Sequence, residues 1–179
     1  YYNTIERAFN ERWIDIYPNK GKRGGAYSSG SYDTAPYILL NYQNDYRDVS
    51  TLIHELCHSM HTYFSNKNNK YQYSSYKMFV AEVASTVNEM LLNYYMLEHA
   101  KSKDEAKMIL SEMMDDIKAT LFRQTMFSEF EDFMHSEVEK GTVLTNELLC
   151  NKYYELNQKY FGNSVKVKHE NIICQVDKQ

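Results

Sequence analysis

Two histidines placed one helical turn apart constrain this chain more than any other feature. They are His54 and His58 in the segment HELCH (54–58), and Glu55 follows the first of them. Each residue of a helix turns by about 100°, so the two histidines project from one face, about 40° apart. Histidines with this spacing hold zinc, and the glutamate between them can reach a metal-bound water. The segment therefore predicts a helix that carries half of a zinc site.

The residues around this motif predict a buried helix over 48–64, with Asp48 as its N-cap. Its apolar side chains recur at helical spacing. They are Val49, Leu52, Ile53, Leu56 and Met60. The alternative is an ordinary amphipathic helix that carries two surface histidines and no metal.

Composition excludes several classes of protein. A chain of 179 residues is enough for one domain with a core and too short to expect two, so we treat 1–179 as a single domain. The net charge is −4 and basic residues do not cluster, which argues against binding to nucleic acid. The sequence has neither the apolar run of a membrane span nor the regions of a signal peptide. Three scattered cysteines indicate a reducing compartment, so we expect a cytoplasmic protein that does not enter membranes.

Before the motif, the pattern of residues predicts a helix over 1–12 and strands at 13–17 and 36–42. The second strand opens with Pro36, which favours the edge of a sheet. The glycine-rich segment 21–30 lacks the spacing of a phosphate-binding loop. We expect a flexible turn there, in which the backbone closely approaches another stretch of chain.

After the motif, a polar loop (65–76) leads into helices with regular apolar spacing. These helices are expected at 77–99, 103–141 (with Ser102 and Glu105 as a possible capping box) and 145–161. The first is predicted from Phe79, Val80, Val83, Val87, Met90, Leu91, Tyr94 and Tyr95. The second would measure about 58 Å if unbroken, so we expect a kink within it. The tail over 163–179 is ambiguous and is assigned a strand followed by disorder.

A catalytic zinc usually takes three protein ligands, and the sequence offers several candidates for the third. A histidine six residues after His58, a known arrangement, is absent. His61 and Cys57 lie near the same side of the helix, but three ligands from two adjacent turns would crowd one side of a tetrahedron. A carboxylate from another element remains, and Glu82 stands out because it interrupts an apolar run. The alternative for Glu82 is a surface pairing with lysine or arginine.

Glu89 lies two turns beyond Glu82 on the same face of the predicted helix. Two interpretations stay open for it. It either orients a ligand histidine from behind the metal site or is an ordinary exposed glutamate.

Four stretches of the sequence resemble oligoendopeptidase F, of the thimet-oligopeptidase-like family of zinc peptidases. They are AFNERWIDIYPNKGKRGGAYSSGSYDTAPYILLNY, HELCHSMH, FVAEVASTVNEMLL and LFRQTMFSEFE. The resemblance implies a mainly α, zincin-like metallopeptidase core of long helices with a small β-sheet near the N-terminus. It implies one zinc ion per chain, held by His54, His58 and Glu82, with Glu55 as the catalytic base.

The same resemblance implies that short peptides are cleaved in a deep channel. The GAYS segment (25–28) and the ILLNY strand (38–42) would line this channel, with the strand pairing to the peptide backbone. His61 matches a family histidine, whose role is either substrate contact or structural support. Cys57 stands where the family usually has glycine, which would alter packing against a neighbouring helix.

Two parts of the family pattern have no counterpart in this sequence. They are the N-terminal helical part and a C-terminal segment rich in His and Tyr. We therefore expect a partial catalytic domain, a fragment of a longer zinc endopeptidase. The alternative function is a zinc-stabilised helical module that acts in structure or binding without turnover. Nothing in the sequence indicates an oligomeric state.

Overall fold

The computed structural model describes residues 1–162 and 166. It is mainly α with a small sheet near the N-terminus, which confirms the predicted fold class. The helices are α1 (Tyr2–Asn10), α2 (Tyr46–Asn68), α3 (Met78–Glu98), α4 (Lys103–Ile117), α5 (Gln124–Glu139) and α6 (Asn146–Phe161). The strands are β1 (Ile14–Asp15), β2 (Tyr27–Ser29) and β3 (Tyr37–Leu39). The prediction for the tail falls on residues outside the described part, apart from position 166.

The chain divides into two compact units, residues 1–109 and 110–179. The first contains α1, the sheet, α2, α3 and the beginning of α4. The second contains the rest of α4, α5 and α6. Every predicted metal ligand lies in the first unit.

The sheet has the order β1-β3-β2, with β1 parallel and β2 antiparallel to β3. The prediction of an edge strand at 36–42 is therefore wrong, because β3 is central. Pro36 comes just before the strand, where its missing N–H removes no bond from the sheet. Strand β2 lies in the segment expected to be a turn. The expected close approach does occur at Gly30, where an added Cβ would lie 3.0 Å from the Cα of Pro36.

One edge of β2 is open among the strands that the structure describes. The backbone N–H groups of Ile38 and Leu40 donate to the carbonyl oxygens of Trp13 and Asp15, on the side of β1. The residues that alternate with them along β3, Tyr37 and Leu39, therefore face β2. Ser28 lies opposite Ile38. Its own N–H and C=O therefore face the open edge of the sheet.

Helix α2 begins before the predicted start, and Asp48 is not its N-cap. Asp45 occupies that position, and its side chain accepts the backbone N–H of Asp48 at 2.8 Å. The side chain of Asp48 in turn accepts the backbone N–H of Asp45 at 3.3 Å, which forms a capping box. The reciprocal pair satisfies two N–H groups that a helix start leaves open.

Removal of this cap is expected to weaken the helix that carries both histidines. We expect Asp45→Ala to lower the free energy of unfolding by about 1 kcal/mol, the usual cost of losing an N-cap side chain. Urea denaturation followed by circular dichroism measures the change. Asp45→Ser, which keeps a capping oxygen, should lose only a few tenths of that value. Equal destabilisation by the two variants would contradict the assigned cap.

The core of the first unit lies between α2, α1 and the sheet. Leu56 and Met60 on α2 pack against Ile38 and Leu40 of the sheet region and against Trp13, all less than a tenth exposed. The predicted apolar face of the motif helix is confirmed at these two positions. The packing fixes the rotation of α2, so His54 and His58 face away from the sheet core and toward α3.

Helix α3 has nearly the predicted bounds but buries a different face. The predicted apolar positions are largely solvent-exposed in this chain; Phe79, for example, is 81% exposed. The buried residues are Ala81, Ser85 and Asn93, which lie toward α2. Small side chains at Ala81 and Ser85 let the two helices approach closely. The side of α3 that faces α2 therefore carries small and polar side chains.

The second unit contains most of the predicted long helix. The predicted 103–141 segment appears as α4, a π-helical segment (Lys118–Arg123) and α5, without a break. The π-helical segment is the irregularity within the long helix. Helix α6 is capped by Thr145, whose side chain accepts the backbone N–H of Leu148 at 3.2 Å. No helix in the described part of the chain is long and apolar enough to cross a membrane.

Candidate metal centre

Side chains from α2 and α3 converge at one point in the first unit. The Nε2 atoms of His54 and His58 are 3.0 Å apart. The carboxylate oxygens of Glu82 lie 3.5 Å from His54 Nε2 and 3.7 Å from His58 Nε2. Three ligands at zinc-bond length in tetrahedral directions lie about 3.4 Å from one another. The three residues predicted from the sequence therefore fit a zinc ion, and all three can offer a donor atom to one cation.

Glu89 fixes the orientation of His54. Its Oε1 atom lies 3.1 Å from His54 Nδ1. A ring N–H that donates to this carboxylate leaves the lone pair of Nε2 directed at His58 and Glu82. The hydrogen bond to Glu89 also raises the pKa of His54, whereas burial lowers the pKa of His58. Of the two interpretations of Glu89, the structure favours the orienting carboxylate.

Glu82, the third candidate ligand, accepts a hydrogen bond that the sequence analysis did not predict. Ser85 Oγ donates to Glu82 Oε2 at 3.0 Å, and Ser85 is fully buried. The Glu82 side chain itself is 48% exposed, so the premise that it is buried in an apolar run is wrong. Its partners are the two histidines and Ser85, and these hold it toward α2.

Glu55 lies beside the three donors and faces the sheet. The residue is 8% exposed, and its carboxylate lies near the backbone of Ser28, at the open edge of β2. Burial raises the pKa of Glu55, against the opposing effects of His54 and Ser28. The Ser28 side chain bonds Ser59 on α2 at 2.7 Å, which ties β2 to the motif helix. A carboxylate held in this way can accept and return a proton.

The other two candidates on the motif helix lie outside the cluster. His61 stacks on Tyr76 with ring centroids 3.8 Å apart, and its buried Nδ1 has no hydrogen-bond partner in the described structure. The geometry favours structural support for His61. Cys57 is buried, and its Sγ lies 3.8 Å from the hydroxyl of Tyr1. Cys57 is not among the residues that can offer a donor atom to the shared cation.

Loss of the Ser85 hydroxyl is expected to weaken metal binding. Ser85→Ala frees Glu82 to leave the cluster, and loss of such a supporting partner typically costs 10–100-fold in metal affinity. We therefore expect a zinc dissociation constant about 10-fold higher, measured by competition with a chromophoric chelator. Ser111→Ala, at an exposed position of α4, provides the matched control. Equal zinc affinity in the two variants would show that Glu82 does not depend on Ser85.

Helices α2 and α3 bring together two histidines, a facing glutamate and an adjacent buried carboxylate. This arrangement defines a candidate metal centre of the HExxH class. Comparison with known proteins gives the family. Residues 2–176 match peptidase family M3. The chain therefore belongs to this family.

Relatives with high identity have related names. The chain is 47% identical to oligopeptidase PepF of Bacillus subtilis over 95% of its own length and 25% of that protein. It is similar to the crystal structure of oligoendopeptidase-F from Enterococcus faecium, with 40% identity and a TM-score of 0.56 over 72% of this chain and 23% of that one. A solved structure from Chlamydophila abortus superposes with a TM-score of 0.76 and 42% identity, over 97% of this chain and 29% of that one. This chain thus spans about a quarter of the length of such relatives.

Proposed function

We propose that the protein containing this chain is a zinc endopeptidase that hydrolyses short peptides. The observation that carries the proposal is the convergence of His54, His58 and Glu82 beside the buried carboxylate of Glu55. Membership of peptidase family M3 supports the reaction class. The oligopeptidase names of the relatives support short peptides as substrates.

In this proposal His54, His58 and Glu82 hold one zinc ion per chain. When bound, zinc supplies a Lewis acid that polarises the scissile carbonyl and lowers the pKa of a coordinated water toward about 7. Glu89 keeps His54 Nε2 directed at the ion through its bond to Nδ1. Ser85 holds one oxygen of Glu82 in place.

Glu55 acts as the general base and then as the general acid. Its carboxylate takes the proton of the attacking water and later delivers it to the nitrogen of the leaving amine. The backbone of Ser28 lies near this carboxylate, at the edge of the sheet. Because burial raises the pKa of Glu55, the carboxyl accepts the proton more readily than an exposed glutamate would.

The substrate backbone is best placed along β2. The sequence-based expectation assigned this pairing to the ILLNY strand, but β3 has neighbours on both sides and cannot add another strand. The open edge of β2 carries the backbone of Ser28 next to Glu55. We therefore propose that peptides add to this edge by β-augmentation.

The cellular context and the domain organisation are proposed on further grounds. The scattered cysteines favour a cytoplasmic enzyme, and of these Cys57 and Cys150 are free and buried in the described structure. We propose that residues 1–179 form part of one catalytic domain. Neither nucleic acid nor a membrane is a proposed partner.

The proposal is tested by incubating the complete protein that contains this chain with a quenched fluorescent peptide. We expect cleavage that a chelator abolishes and added zinc restores. The same assay on residues 1–179 alone examines the second candidate, a zinc-stabilised module without turnover. That candidate is motivated by the exposed apolar residues of α3 and by the quarter-length match to relatives. Zinc binding without cleavage by the complete protein would overturn the peptidase proposal.

A further inference from the structure

A pair of serine hydroxyls joins the motif helix to the edge of the sheet. Ser59 Oγ on α2 and Ser28 Oγ on β2 lie 2.7 Å apart and form a hydrogen bond. Ser59 is fully buried. A buried hydroxyl is unfavourable unless it forms a hydrogen bond, so the bond to Ser28 explains how a serine is accommodated at this position of the helix. The function proposed so far does not use this pair.

Ser28 presents its backbone to the open edge of β2. In the register of the sheet it lies opposite Ile38 of β3. The N–H of Ile38 donates to the carbonyl oxygen of Trp13, so Ser28 and Ile38 do not exchange backbone hydrogen bonds. The N–H and C=O of Ser28 therefore point away from β3. These are the groups with which a peptide added to this edge would pair.

The hydroxyl pair lies one helical turn from the proposed base. Ser59 follows Glu55 by four residues, so the two side chains share one face of α2. The backbone of Ser28 lies near the Glu55 carboxylate. Ser28 thus has its side chain bonded to the motif helix and its backbone at the open edge of the sheet.

The bond to Ser59 fixes a short strand to a long helix. Strand β2 has three residues, is followed directly by Gly30, and pairs with one strand in the described part of the chain. A short strand at the edge of a sheet that is followed by glycine has little rigidity of its own. A peptide that binds a mobile edge must also order it, which lowers the affinity. Ser28 is the middle residue of β2, so its bond to α2 restrains the whole strand.

We propose that Ser59 is a positioning residue that acts through Ser28 to hold the open edge of β2 in the conformation that binds the substrate backbone. The inference rests on the proposed peptidase function and on the pairing of peptides with β2. Neither hydroxyl takes part in proton transfer. The restraint helps the substrate and the transition state to bind equally, so its loss should raise KM and leave kcat unchanged.

The first test removes each hydroxyl in the complete protein. We expect Ser59→Ala to raise KM for a quenched fluorescent peptide by about 5-fold, within the net strength of one hydrogen bond, at unchanged kcat. Ser28→Ala should give the same rise, and the double variant no more than either single one, because the two substitutions remove the same bond. Ser28→Thr keeps a hydroxyl and should retain the KM of the parent. Full additivity of the two alanine substitutions would contradict the inference.

A purely structural role of Ser59 would give a different result. Partial unfolding lowers the concentration of active protein, and with it the apparent kcat, without raising KM. Asp45→Ala is the matched control, because it destabilises the same helix by removing its N-cap. This control should keep the KM of the parent. A KM for Ser59→Ala equal to that for Asp45→Ala would overturn the inference.

Peptide binding separates this inference from the proposed activity. A labelled alanine-rich peptide is titrated against Glu55→Gln protein, with and without Ser59→Ala, and followed by fluorescence anisotropy. Copies of the peptide that are each N-methylated at one residue identify the N–H that donates to the edge of the sheet, because its methylation costs the most affinity.

Ser59→Ala should weaken binding of the unmodified peptide by about 5-fold and have little further effect on the copy methylated at that residue. This result supports the inference even if the protein cleaves nothing. Absence of peptide binding, or equal dissociation constants with and without Ser59→Ala, would overturn it even if the protein is a peptidase.

Discussion

Replacement of Glu55 by glutamine is expected to lower kcat for peptide cleavage by about 10³-fold while zinc stays bound. General acid–base catalysis by one positioned group contributes about 10²–10⁴-fold, and the amide cannot take or return the proton. A 10³-fold loss corresponds to about 4 kcal/mol in the activation free energy. The measurement is steady-state cleavage of a quenched peptide by the complete protein, together with metal analysis of the same sample.

Glu55→Gln should leave the fold intact for two reasons. The amide has nearly the shape of the carboxylate, and the substitution removes a charge whose burial is unfavourable. Glu98→Gln, at an exposed position near the end of α3, is the matched control and should keep full activity. Undiminished cleavage by the zinc-loaded Glu55→Gln protein would remove Glu55 from the role of base.

The common orientation of His54 and His58 was predictable from the sequence because their spacing repeats a helical turn. Two histidines four residues apart face one way on any helix, whatever surrounds it. The packing of Leu56 and Met60 on the sheet could also be predicted from helical periodicity. The N-cap residue of α2, in contrast, could not be assigned from the sequence. Asp45 and Asp48 are both good N-cap residues, and only the backbone geometry at the helix start shows which one accepts the first N–H.

The orientation of α3 could not be predicted, because hydrophobicity and burial diverge there. Large apolar residues such as Phe79 are exposed in this chain, while Ser85 and Asn93 are buried against α2. Asn93 accepts a hydrogen bond from Tyr46, near the start of α2. The polar side chains of α3 that face α2 also include Glu82 and Glu89, whose carboxylates contact His54. Helical periodicity in a sequence indicates an apolar face. It does not indicate which polar side chains of that helix contact a neighbouring helix.

Strand β2 was not predicted from the sequence, and the reason is different. Three residues followed by a glycine carry little strand propensity, and pairing with β3 is a contact between separate segments. Without that pairing, neither the open edge nor the proximity of Ser28 to Glu55 could be foreseen. The family resemblance had assigned the segment to the substrate channel. The sheet order now makes β2, and not β3, the strand that can pair with a peptide.

His54→Ala is expected to abolish zinc binding, whereas His61→Ala is expected to preserve it. The two histidines lie on the same helix, but only His54 lies within bonding reach of a shared cation with His58 and Glu82. Since loss of a supporting partner alone costs 10–100-fold in metal affinity, loss of a direct ligand should cost more than about 100-fold. Metal analysis after dialysis against dilute zinc should give about one ion per chain for the parent and for His61→Ala, and almost none for His54→Ala.

Thermal unfolding provides an independent measurement of the same site. A ligand that binds only the native state stabilises it by about 4 kcal/mol when present at about 1,000 times its dissociation constant. Zinc should therefore raise the melting temperature of the parent and of His61→Ala, and a chelator should reverse the rise. His54→Ala should respond to neither, because its cluster lacks the donor that Glu89 orients. Equal zinc content and equal thermal response in the two variants would place the metal elsewhere in the protein and exclude His54 as a ligand.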